Sequence, residues 1–523
     1  MIREIDGGGG ASRIPATATV AAAIIAAATI APVIQLAWRA FGDDPAAAWA
    51  AILRPRTLEL ALNTIALVGF VAPTTCVLGI LVAWAATRVH LPARRLWWVL
   101  LCLPLAIPSF VTAFAWSITW PGVRGFWPLG CVLVLATLPY VAVPTMGAFA
   151  VADRNVEDVA RSLGRGPLRA FASATLPQVL PAAVSGALLV ALYTISDFGA
   201  PAILRYETLT TGVYAQFTGG LNRQVAASMA LVLAALALCC VAVEQTIRRG
   251  DPSRRHSGRS PSIGPIRRSP RATAFSIGLF ALLGGAALAF PLGALILRML
   301  RSDRYTSAPA DLMGALATTL TLAAAAGCLA VAAALPISTL GARFRGPVIT
   351  ALETASYLGQ ALPGLVVGLA LVALSLTFFP HAYQSAAVLL LAYAVLFLPK
   401  ALGAERAALQ RVSPRMREVS RTLGRGPLMT WARVTVPVAL PGLLAGWVLV
   451  TTSVMKELPA TLMLRPIGLD TLATVMWSKT SIGAYGAAAP AGLLLCLAGA
   501  VPALLLARTL SRSLGARTGT PRR

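Results

Sequence analysis

Eleven stretches of 20 or more consecutive residues carry no Asp, Glu, Lys or Arg, and they dictate where this chain can fold. They cover residues 14–38, 60–87, 96–123, 125–152, 170–196, 224–243, 272–297, 312–342, 354–399, 434–455 and 480–507. A helix rises about 1.5 Å per residue, so about 20 apolar residues cross a hydrocarbon core of roughly 30 Å. The run 354–399 is twice that length and is interrupted near Phe379-Pro380-His381, so it divides in two. Twelve spans are predicted. Period-2 alternation is absent, which excludes a transmembrane barrel. Only 12% of the residues are charged, against about 25% in soluble domains. That scarcity excludes a soluble enzyme, a disordered chain and a coiled coil. The expected class is an all-α polytopic membrane protein. The first run exceeds the about 7–15 apolar residues of a signal peptide and reads as an uncleaved span. Cleavage in the Ala-rich stretch after Thr17 is the alternative.

Lys and Arg number 44 against 19 Asp and Glu, a net charge of +25. With the N-terminus inside, the inside segments are 1–13, 88–95, 152–181, 248–271, 341–348, 400–441 and 508–523, and they hold 32 of the 44. The positive-inside bias predicts N-in and C-in orientation in the cytoplasmic membrane. It also accounts for the surplus charge as a topology signal, with no nucleic-acid partner. The seven cysteines all lie in predicted spans without a C-x-x-C, and His90, His256 and His381 are scattered, so no zinc or haem site is expected. Gly7–Gly10 lacks the spacing and lysine of a phosphate loop, so no ATP site or other cofactor is expected on this chain.

Residues 248–271 hold eight arginines among Ser, Pro and Gly and read as a disordered basic linker. Six spans lie on each side, in halves 1–247 and 272–523. The halves carry a repeat. Residues 161–190 (RSLGRGPLRAFASATLPQVLPAAVSGALLV) and 421–450 (RTLGRGPLMTWARVTVPVALPGLLAGWVLV) match at 15 of 30 positions at a constant offset of 260. Both copies follow the fourth span of their half, which makes the repeats parallel. In each copy a short helix begins at Asp158 or Glu418 and closes at Gly164 or Gly424 in a left-handed turn. A second helix opens at Gly166-Pro167 or Gly426-Pro427. Pro177 and Pro181, or Pro437 and Pro441, are expected to break it before the next span. Phe171 and Trp431 occupy matching positions, where they serve either as anchors on anionic lipid or as part of a lever for a protein partner.

The two loops resemble the signature of binding-protein-dependent ABC importer permeases: E-A-A, three residues, G, nine residues, I-x-L-P. Asp158, Ala160, Gly164 and Pro177 fit it in the first copy, where Asp replaces Glu and Ala174 replaces Ile. Glu418, Ser420, Gly424 and Pro437 fit it in the second, with Val419-Ser420 for Ala-Ala and Val436 for Leu. The chain from about 55 to 510 further resembles the fused two-half permeases of ferric-iron importers. That likeness rests on residues 103–109, 361–366, 195–199 and 455–461. The resemblance implies the type I importer permease fold, two copies of a cytoplasmic ATPase that hydrolyses the ATP, and an extracytoplasmic solute-binding protein docking on loops 199–223 and 457–486. It implies transport by alternating access and no enzymatic chemistry on this chain. Polyamine, thiamine and phosphonate permeases share much of the frame. A proton-coupled secondary transporter would need titratable groups inside its spans, and few are present; a membrane transferase would need clustered acids.

Asp197 and Glu457 fall at the same offset, each after an uncharged run. They are candidates for the substrate path of a hard trivalent cation, which prefers oxygen ligands. The alternative is that each ties down the loop that follows it. Glu244 and Glu353 read as interfacial, and Pro104, Pro108 and Pro363 as kinks that shape a gate.

Overall fold

The computed structural model describes residues 3–4, 16–220, 222–249, 269–301 and 309–515. Among the described residues, ten helices are long and apolar enough to cross a membrane. Two further helix pairs meet that test only together. Arg94–Ala106 with Ser109–Thr119 is bent by 88°, and Pro347–Gln360 with Gly364–Phe378 by 104°. Counting each bent pair as one span gives the expected twelve. The bends fall at Pro108 and Pro363, both in extended backbone (ψ 146° and 144°) immediately ahead of the second helix. A ring that fixes φ and lacks an N–H suits that position, and the proline carbonyl starts the new ladder. Val111 and Thr112 donate to Pro108, and Val366 and Val367 to Pro363.

The long run 354–399 does divide near Pro380, through a short turn Pro380–Ala382 that leads to a helix capped by Ser385. That helix, Ala386–Leu409, extends past Lys400, where sequence reading began a loop. The charges it takes in are partnered. Lys400 Nζ donates to Ser453 Oγ at 2.5 Å, Glu405 Oε2 accepts from the Ser338 hydroxyl at 2.8 Å, and Arg406 pairs with Glu353 at 2.9 Å. A run of uncharged residues therefore understates a span whose charges have partners.

The described helices form two compact units. The first comprises Met1–Thr57, Gly212–Leu238 and Ala308–Val475; the second comprises Leu58–Thr211, Cys239–Ser307 and Met476–Arg523. Each unit takes helices from both sides of the linker, so the units cut across the halves of the repeat. Residues 250–268 of the linker lie outside the described residues.

In the first unit Pro309–Arg343, Ala386–Leu409 and Val436–Met455 pack together. At Gly327 a Cβ would stand 2.7 Å from Thr451 Oγ1, and Trp447 Nε1 donates to the Ala324 carbonyl at 3.2 Å. Ala16–Phe41, from the start of the chain, lies on the bent pair of this unit. Thr29 Oγ1 donates to the Ala355 carbonyl at 3.0 Å, and Trp38 stacks on Phe378 at 6.4 Å. In the second unit Phe126–Val151 packs on Leu176–Ser196, so closely at Gly186 that a Cβ would lie 2.7 Å from the Tyr140 carbonyl. Tyr485–Gly515, from the end of the chain, packs on Leu103–Ala106 of that unit's bent pair. Small residues at these crossings let backbones approach, which drives helix association where lipid removes the hydrophobic gain.

Candidate functional site

The first repeated loop belongs to the second unit. Its opening helix is Arg154–Ser162, which starts four residues ahead of Asp158 because Asp153 caps it. The Asp153 carboxylate accepts from the Asn155 N–H at 3.0 Å. An Asp directly before a helical stretch is an N-cap signal legible in sequence. The helix closes as expected. Gly164 has φ +82°, its N–H bonds to Arg161, and the Arg165 N–H bonds to Ala160 at 3.2 Å. Beneath this turn Ala160, Ala170 and Ala174 are buried together.

The second loop, in the first unit, repeats the turn with other chemistry. Pro414–Thr422 ends at Gly424, φ +75°, and the Arg425 N–H bonds to Ser420 at 3.2 Å. Ser420 and Thr430, at the positions of Ala160 and Ala170, are buried and their hydroxyls share a 3.0 Å hydrogen bond. Beneath the turn, alanine contact in one loop is replaced by a side-chain hydrogen bond in the other. Outward, both present the same pattern. Asp158, Gly164 and Pro177 are exposed, as are Glu418, Gly424 and Pro437. Leu163 (76% exposed) and Leu168 flank the first turn and Leu423 (70%) the second.

The prolines expected to break the second helix of each loop do not. Pro167–Ala170 continues through a single π turn, Phe171–Thr175, into Leu176–Ser196. Pro427–Thr430 continues likewise through Trp431–Thr435 into Val436–Met455. The Leu176 N–H bonds to Phe171 and the Val436 N–H to Trp431, five residues back. That extra residue loosens the ladder where the ring of Pro177 or Pro437 would clash and its N–H is missing. Phe171 faces inward and stacks on Phe149 at 6.4 Å. Two residues that sequence reading passed over fasten this loop. Glu157 Oε2 accepts from Thr175 Oγ1 at 2.6 Å, and Gln178 Oε1 from the Asp153 N–H at 2.9 Å.

Asp197 and Glu457 have matching backbone settings, each in its own unit. Asp197 Oδ1 accepts from the Ala200 N–H at 3.3 Å at the start of Gly199–Ile203, and its carbonyl accepts from Thr210 Oγ1 at 2.8 Å. Glu457 Oε1 accepts from the Ala460 N–H at 3.0 Å ahead of Pro459–Leu464, and its carbonyl accepts from Thr461 Oγ1 at 2.9 Å. Both also rest at the break of a bent pair. Asp197 interacts with Ser109, the residue after Pro108, and a Cβ on Gly364, the residue after Pro363, would collide with Glu457 Oε1. Asp197 follows the last residue of its span. Burial raises its carboxyl to about 6, opposed by Ser109 and by the Ala200 and Gly199 N–H groups. Among the described residues no group of three His, Cys, Asp or Glu side chains is placed to hold a metal ion.

Among the described residues, ten membrane-length helices, two bent helix pairs and two exposed helix–turn–helix loops form the frame of a polytopic membrane protein. The chain belongs to the family described as binding-protein-dependent transport system inner membrane component, which matches residues 45–256 and 328–516. It is 32% identical over 459 residues to the Fe(3+)-transport system permease protein FbpB 2 of Haemophilus influenzae, covering 87% of this chain and 90% of the relative. The putrescine transport system permease protein PotI of Escherichia coli is 30% identical over 147 residues, 26% of this chain and 52% of the relative. The molybdate/tungstate transport system permease protein WtpB of Thermococcus kodakarensis is 25% identical over 161 residues, 30% and 65% respectively. By its family the chain is a multi-pass inner-membrane transport subunit, not an enzyme. Its partners, in general terms, are an ATPase and a solute-binding protein.

Proposed function

We propose that this chain forms the membrane pathway of an ATP-driven importer whose substrate is ferric iron. The observation that carries the substrate is the extent of likeness. The ferric-iron permease aligns across both halves, whereas the polyamine and molybdate permeases align over less than a third of this chain. Halves 1–247 and 272–523, joined by linker 248–271, act as parallel permease repeats with both termini in the cytoplasm. Each repeated loop docks one copy of an ATPase through Asp158, Gly164 and Leu163, or Glu418, Gly424 and Leu423. ATP closes the ATPase pair, the loops move with it, and the spans open to a solute-binding protein on the far side. The π turn ahead of Pro177 and Pro437 makes each loop continuous with a span, so a push on the loop travels along one helix. The bent pairs, held at their breaks by Asp197 and Glu457, are the elements such a movement would rearrange.

Co-purification tests the docking. Asp158→Lys with Glu418→Lys is expected to remove at least nine-tenths of the ATPase retained by the solubilised permease while the permease stays monodisperse. Full retention in that variant would sink the loop assignment.

A further inference from the structure

The two carboxylates are alike in backbone setting and unlike in what surrounds them. In the first unit Lys400 and Ser453 stand at the positions that Tyr140 and Tyr193 hold in the second, at the same offset of 260 that relates Glu457 to Asp197. The Lys400 ammonium lies within electrostatic reach of Glu457, donates to Ser453 Oγ at 2.5 Å and stands 4.9 Å over the Phe397 ring. That carboxylate therefore has a fixed cation of its own, which repels an incoming one.

At the corresponding positions of the second unit stand two tyrosines and no cation. Tyr140 and Tyr193 lie on neighbouring helices held close at Gly186, with ring centroids 6.0 Å apart. Tyr193 is within electrostatic reach of both Asp197 and Tyr140, and it interacts with Ser109. Asp197 Oδ2 is buried without a hydrogen-bond partner of good geometry, whereas the residue as a whole is only half-buried. A buried, unsatisfied carboxylate oxygen is costly unless something completes its shell. Tyr193 thus links Tyr140, Asp197 and Ser109 into a cluster of oxygen groups, the donor chemistry that a hard, highly charged cation selects.

We propose that Asp197, Tyr193 and Tyr140 form a transit site for ferric iron in the second unit, and that Glu457, held with Lys400, takes no cation. The asymmetry gives the pathway one cation site rather than two. Each phenol that coordinates exchanges its O–H bond for an iron–oxygen bond and releases one proton to water; Asp197 adds its carboxylate oxygen, and no electron is transferred. This inference rests on the ferric-iron reading above.

Tyrosine-to-phenylalanine changes separate this site from an aromatic box for a diamine. Phe keeps the ring face that attracts an alkylammonium and removes the oxygen that binds iron. The full transporter, with its ATPase and binding protein, would be reconstituted in vesicles and supplied with radioactive ferric nitrilotriacetate or radioactive putrescine. The expected result is iron uptake by the wild type that falls on the order of tenfold or more in Tyr140→Phe/Tyr193→Phe and in Asp197→Asn. The ATPase should be retained in both variants. Solubilised wild-type transporter given the same iron complex should also develop a visible phenolate-to-iron charge-transfer band that the double variant lacks. Wild-type iron uptake that is unchanged in the variants, with no such band, overturns the site and leaves the substrate reading standing. Uptake of putrescine but not iron by the wild type overturns both.

Discussion

Ser420 and Thr430 replace an alanine pair with a hydrogen-bonded hydroxyl pair, and this makes their energetics testable one side chain at a time. Removing one partner strands the other, which costs about 1–3 kcal/mol, whereas replacing both with apolar groups is close to neutral. Ser420→Ala alone is expected to destabilise its loop, while Ser420→Ala with Thr430→Ala, the chemistry already present at Ala160 and Ala170, restores it. Hydrogen exchange across Pro414–Val436 measures this; a double variant as exchange-labile as the single would contradict it. Gly164→Ala must hold an L-residue at φ +82°, at roughly 1–2 kcal/mol. It should raise exchange at the Gly164 and Arg165 amides. The glycines were legible in the sequence because a left-handed residue closing a helix is a local requirement. The hydroxyl pair was not, since its members are ten residues apart and only the turn between them brings them into contact. The extension of Ala386–Leu409 past Lys400 was not legible for a related reason: Ser453 and Ser338, the partners of Lys400 and Glu405, lie more than fifty residues away in sequence.

At the scale of elements, the proline positions carried more information than their simplest reading extracted. Pro108 and Pro363 do interrupt their spans, because each sits in extended backbone just ahead of a new helix. Pro177 and Pro437 do not, because one extra residue in the preceding turn accommodates the ring. Nothing in composition separates these outcomes; they depend on whether the chain can afford to turn at that point. Pro177→Ala removes the reason for the π turn. Residues 171–175 are expected to relax to an α-helix, rotating the loop against its span by about 100°. Retained ATPase should then fall with no loss of folded permease, and unchanged retention would count against the π turn as a coupling element. Gly186→Val introduces a side chain where the Tyr140 carbonyl already fills the space. Overpacking of that kind costs about 1–3 kcal/mol. A lower thermal unfolding midpoint for the detergent-solubilised protein is the expected reading.

For the molecule as a whole, the charge-free runs and the repeat were legible because both are linear properties of the chain. The compact units were not, because each combines helices from both sides of the linker. Ala16–Phe41 packs with helices beyond residue 308, and Tyr485–Gly515 with helices before residue 211. Halves 1–247 and 272–523 produced separately are therefore expected to aggregate, and co-production is expected to restore a monodisperse species by size exclusion. A half that is stable alone would contradict the division into units. The central claim, that this permease admits ferric iron when an ATPase drives its loops, is tested most directly in vesicles holding the permease, its ATPase and its solute-binding protein. Radioactive ferric iron should accumulate only when ATP is present, and accumulation should vanish in Asp158→Lys/Glu418→Lys. Iron that enters equally without ATP, or that does not enter while another solute does, would contradict the account.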